Sequence, residues 1–218
     1  MKERTKRTTS WKEGKIISIR LKNDIYVLAQ MVKEPYLIFF NLFDKENDWQ
    51  GVTLSKDKVL FCHAVSRQFI RYSDITVVKE IEPLKDYKLP SKWLYGGLGS
   101  GKRILCLNGK EREVLIPVGY YSLVERDLDI YENNHIHGLF KKILIDNITQ
   151  EHWEKIINIE DMSIDVYPNL NERLYLCYLA GKNVNPTLDI DLGKDVPESY
   201  ETFIDLITVA VPIKELGY

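Results

Sequence analysis

The chain has little of what most often declares a function. It has three cysteines, Cys62, Cys106 and Cys177, odd in number, widely spaced and without a CxxC pair. That excludes a disulfide framework and zinc-ribbon spacing, and free thiols of this kind fit a reducing cytoplasm. No apolar run approaches membrane-spanning length. The charged N-terminus MKERTKRTTSW lacks the apolar stretch of a signal peptide, so a cytoplasmic protein is expected. A net charge of −2 over 218 residues argues neither for a nucleic-acid binder nor for a membrane-surface protein. There is no GxSxG elbow and no HExxH pair.

What the total hides is an uneven distribution. Basic residues dominate from Met1 to Arg20 and acids from Ile143 onward, most visibly at Asp189, Asp191 and Asp195. The first ten residues read as a basic, solubilising tail.

From Gly14 to Phe43 the pattern is a three-stranded antiparallel meander. Ile17, Ile19 and Leu21 share one face of the first strand. Ile25, Val27, Ala29 and Met31 share one face of the second. The third, Tyr36 to Phe43, is apolar on both faces except at Asn41, as a doubly covered strand should be. Asn23-Asp24 and Lys33-Glu34-Pro35 supply the turns. Lys58–Val65 and Ile75–Ile81 add two strands, and Arg67–Tyr72 between them fits either one helical turn or an extension of a strand. Residues 11–95 are thus expected to form an antiparallel curled β-sheet or partly open barrel.

Gly96 to Gly101 (GGLGSG) has the composition of a flexible linker, assigned to residues 96–103. Residues 104–218 then form a smaller mixed α+β half. There, Asn108-Gly109 closes a hairpin, Lys141–Asp146 is a further strand and Gln150–Asn158 a helix capped by Asn147 or Thr149. Arg173–Leu179 reads as a strand. Pro197–Ile207 reads as a helix with Asp195 as N-cap and Glu198 in a capping-box position. The fold class is α+β.

Three arrangements could carry chemistry. Gly96-x4-Gly101-Lys102 is most of a phosphate-binding loop, but Arg103 replaces the magnesium-binding hydroxyl and a strand follows where a helix must begin, so nucleotide binding is rejected. His135 and His137 share one face of an extended segment, with Asp129, Glu132 or His152 as possible third ligands. Without a second ligand pair, a solvated loop is the simpler reading. Cys62 and His63 are adjacent, and side chains adjacent in a strand point to opposite faces, which argues against a nucleophilic dyad. No catalytic, cofactor-binding or metal residue is assigned, and no cofactor is expected. Candidate partner-binding residues are Asp44, Glu46, Asp48 and Trp49, an aromatic anchor in an acidic rim, and Asp189, Asp191 and Asp195, a docking face for a basic partner.

Residues 11–95 also resemble a known family. WKEGKIISI, IYVLAQMV, YLIFFNLFD and TVVKEIEPLKDYKLPSKW are similar to segments of the immunity protein 26 family of bacterial polymorphic-toxin systems. Gly14, Tyr26, Ala29, Phe39, Phe40, Asp44, Pro90 and Trp93 fall at the matching positions, although Leu28-Ala29-Gln30 stands where the family carries an aromatic–Gly pair. The resemblance implies a cytoplasmic, non-enzymatic protein that occludes a cognate protein toxin, for which the acidic residues suggest a basic nuclease. The alternatives are a regulatory module binding protein or nucleic acid, and a metal-dependent hydrolase built around Asp129, His135 and His137.

Overall fold

The computed structural model describes residues 9–126 and 140–218. The basic tail as far as residue 8, and Asp129, Glu132, His135 and His137, lie outside the described residues. The chain is α+β and divides into two compact units. One comprises Met1–Tyr87, Ile164–Val184 and Pro212–Tyr218; the other comprises Lys88–Ser163 and Asn185–Val211.

The first unit is built on a six-stranded sheet. Its strands are β1 (Ile16–Arg20), β2 (Tyr26–Met31), β3 (Tyr36–Asp44), β4 (Val59–Val65), β5 (Asp74–Val78) and β9 (Ile164–Asp165), in the order β5-β1-β2-β3-β4-β9. The five N-terminal strands pair antiparallel, and β9 adds a short parallel edge to β4. The sheet is open, not a barrel.

Alternation decides its faces. Ile17, Ile19, Val27, Ala29, Leu37 and Phe39 are fully buried on one side, beneath α1 (Arg67–Tyr72) and α3 (Asn169–Ala180). The Ser66 hydroxyl caps α1 by accepting the Phe69 N–H at 3.1 Å. On the opposite side, Gln30 closes a reciprocal pair with the backbone of Leu84, accepting from its N–H at 2.7 Å and donating to its carbonyl at 3.1 Å. β3 is buried from Tyr36 to Phe40 and exposed at Asn41.

Arg173–Leu179, expected as a strand, lies inside α3. Its β-rich composition is overridden by tertiary packing: Leu170, Leu174 and Cys177 fall at helical spacing and enter the core together.

The second unit holds a three-stranded sheet, β6 (Lys92–Leu107), β7 (Lys110–Glu125) and β8 (Lys142–Ile145), with α2 (Trp153–Ile156), α4 (Pro186–Asp191) and α5 (Glu201–Ile207). Asn108 and Gly109 close the β6–β7 hairpin with φ of 49° and 72°. The stretch expected as a linker is instead the middle of β6, bulged and paired with β7. Its glycines serve close approach. A Cβ on Gly99 would stand 2.2 Å from the backbone of Gly119, so only glycine lets the strands meet there. Thr149 precedes α2 and its N–H donates to His152 Nδ1 at 3.1 Å. Pro197, not Asp195, occupies the N-cap position of the turn before α5, and it makes no side-chain capping bond.

Candidate functional site

The described cavity that best fits a site lies within the first unit, at the end of β1. Its volume is about 270 Å³, and its lining includes Arg20, Lys22, Asp24, Tyr72, Asp74, Tyr167, Asn171 and Tyr218. It is at or below the lower end of ordinary ligand pockets, a space for one small group.

Each wall has a local origin. Arg20 ends β1 with its side chain outward, in register with Asp74 at the start of β5. A tight 3-10 turn, Lys22–Asp24, follows, with Asn23 and Asp24 both left-handed (φ 57° and 55°), a conformation that Asn and Asp tolerate best after glycine. The turn brings Asp24 back onto Arg20: Asp24 Oδ1 accepts from Arg20 Nε at 2.9 Å and from Nη2, and Asp74 Oδ2 lies 3.6 Å from Nη1.

The same turn sends Lys22 inward to Glu172, in the first turn of α3. Lys22 Nζ lies 2.9 Å and 2.7 Å from the two carboxylate oxygens. The Tyr218 hydroxyl also donates to Glu172. Burial raises the Glu172 carboxyl above the usual range, against the opposing bonds from Lys22 and Tyr218. The Tyr218 hydroxyl is pushed up by burial and by Glu172. Gly217, at φ 87°, turns the chain against Lys22 and so delivers Tyr218.

Three rings complete the cavity. Tyr167 stands perpendicular to Tyr218 (centroids 6.3 Å, 90°) and is tilted by 43° to Tyr72 at 6.2 Å. Beneath Tyr72, Ser73 Oγ donates to the buried Asn171 Oδ1 at 3.1 Å, tying α1 to α3.

The charges are unequally used. Lys22 is covered by Glu172 and by the Tyr175 ring 4.5 Å away, its side chain 16% exposed. Arg20 is shared by two acids. Asp24 and Asp74, by contrast, have side chains 66% and 55% exposed. Arg20, 48% exposed, lies between them, so the opening shows solvent two carboxylates and the guanidinium they share, while Lys22 and Glu172 are covered.

The candidates read from the sequence lie elsewhere. Asp44 Oδ1 closes a turn by accepting from the N–H groups of Glu46 (2.7 Å) and Asp48 (3.0 Å), and such bonds hold its carboxyl below the usual range. Glu46 and Asp48 are exposed. Trp49 is 7% exposed and donates to Asn47 at 2.8 Å, so it is a core residue and not an exposed anchor.

Asp189, Asp191 and Asp195 belong to the other unit. Asp189 binds Lys194 Nζ at 2.7 Å and the Tyr200 hydroxyl at 2.8 Å, and Asp191 accepts from Tyr121 at 2.7 Å. These two are internal fasteners; Asp195 remains exposed. Among the described residues, no group of three or more His, Cys, Asp or Glu is placed to hold a metal ion. No helix among them is long and apolar enough to cross a membrane.

Sequence reading missed the cavity because its walls come from residues 20–24, 72–74, 167–171 and 217–218. No local motif announces a meeting across 150 positions.

A family model described as a domain of unknown function, DUF8309, matches residues 5–172, well over half of the chain, and the chain belongs to that family. No curated protein and no solved structure matches it.

Proposed function

We propose that this DUF8309 member is a cytoplasmic immunity protein that binds a cognate basic toxin and neutralises it by occlusion, without turnover. The observation that carries the reading is the opening at the end of β1, where exposed Asp24 and Asp74 stand beside three tyrosine rings while Arg20 and Lys22 are engaged. Exposed carboxylates beside aromatic surface suit recognition of a cationic protein, because complementary charge accelerates encounter and rings supply contact area at low entropic cost.

Glu172, the strongly buried carboxylate of the site, is the group that reaction chemistry would most readily recruit. Its oxygens are occupied by Lys22 and Tyr218, a bracing arrangement. The resemblance of residues 11–95 to the immunity protein 26 family points to the same reading, although Arg20, Lys22, Asp24, Tyr72 and Asp74 lie between the segments that carry it.

A tagged pull-down from the native host at moderate salt, with and without nuclease treatment, tests it. One stoichiometric basic protein that persists after nuclease is expected. Partners that vanish with nuclease would replace immunity with nucleic-acid binding.

A further inference from the structure

We propose that the cavity at the end of β1 is a receptor for a single guanidinium group, an arginine side chain of the partner. This deepens, and rests on, the reading of the protein as a binder of a basic partner.

Size is the first argument. About 270 Å³ is too little for most cofactors and enough for the end of one long side chain. Ring geometry is the second. Tyr167 and Tyr218 meet at 90°, and Tyr72 is tilted by 43° to Tyr167, so the rings form a corner and not a flat stacking platform. Corners of tyrosine faces are how proteins cage cations, whose charge is drawn to the negative ring face.

Charge is the third argument. Arg20 is outnumbered by Asp24 and Asp74, whose side chains are more than half exposed, and Lys22 is neutralised by Glu172. The local balance of these five groups is one negative charge. Arg71, outside the cavity, already places its guanidinium 5.5 Å from the Tyr72 ring centroid, the kind of contact proposed for the incoming group.

Guanidinium fits better than ammonium because it is planar, weakly hydrated and able to stack on a ring while its N–H groups reach a carboxylate. An anion is disfavoured, since Lys22 is covered by Glu172 and the half-exposed Arg20 is already paired with two acids. A neutral sugar would want a flat ring and no net charge.

The test uses the full chain with ring-labelled tyrosine, titrated by NMR with L-arginine amide and with its neutral isostere, L-citrulline amide. Tyr72→Phe, Tyr167→Phe and Tyr218→Phe assign the signals while keeping each ring. Saturable shifts of these three rings with arginine amide are expected, with citrulline amide about tenfold weaker, within the range of a cation–π contact joined by an ion pair. Asp74→Asn, at an exposed position, should weaken arginine amide severalfold and leave the other tyrosine signals in place. Equal responses to both amides, or no saturable shift of these rings, overturns the proposal. The two readings fail separately: a partner captured without a guanidinium response removes the receptor but keeps immunity, and a guanidinium response with no protein partner does the reverse.

Discussion

Glu172 sits fully buried, with Lys22 and Tyr218 as its partners. Because its folded-state pKa is raised, the native state holds this proton more tightly than the unfolded chain does. Stability from this group is therefore full below the ordinary glutamate range and is lost as pH rises through the raised value. Glu172→Gln should flatten that part of the pH profile, read as denaturation midpoint against pH; an unchanged slope would place the titration elsewhere. Lys22→Met removes the compensating cation and should cost about 3 kcal/mol at neutral pH in a urea titration, the scale for breaking a buried pair. None of this was visible in the sequence, where Lys22 belongs to a turn and Glu172 to an acidic region. Their contact exists only because the turn with two left-handed residues aims at the start of α3.

At the level of elements, periodicity was a sound guide and composition a poor one. The alternation in β1 and β2 placed Ile17, Ile19, Val27, Ala29 and Met31 on the buried face they occupy, and Asn108-Gly109 marked a real hairpin turn. Glycine misled, because GGLGSG has the composition of a flexible joint while Gly99 and Gly119 are there to let two strands touch. Gly99→Ala should destabilise by about 2 kcal/mol, the overpacking scale, measured by chemical denaturation. A neutral effect would mean that the strands can part without cost.

Strand pairing also shields the Gly-rich stretch from proteolysis. Lys102 and Arg103 lie in paired β6, and Arg103 donates to the carbonyls of Ile190 (3.0 Å) and Lys194 (2.7 Å). Limited trypsin should make its first cuts elsewhere. An early fragment beginning at Arg103 or Ile104, seen by mass spectrometry, would contradict the strand. Arg173–Leu179 failed for the opposite reason: β-rich composition with a spacing that also satisfies a helix, settled only by what covers the sheet.

For the whole molecule, the sequence supports the α+β class but not the interleaving of the two units, since chain segments 164–184 and 212–218 return to the N-terminal sheet. Returns of that kind depend on packing partners far away in sequence. Cysteine exposure offers a simple check on both units: Cys106 is exposed, and Cys62 and Cys177 are buried. A thiol reagent should titrate one group per native chain and three after denaturation; two or three fast thiols in the native protein would contradict the packing. Neutralisation of a partner is measured most directly by growth of cells expressing the protein encoded beside this one, alone and together with this chain or its Asp24→Asn, Asp74→Asn double variant. The account predicts arrest alone, rescue by the wild-type chain and weaker rescue by the double variant. A harmless neighbour, or rescue that ignores both aspartates, would contradict it.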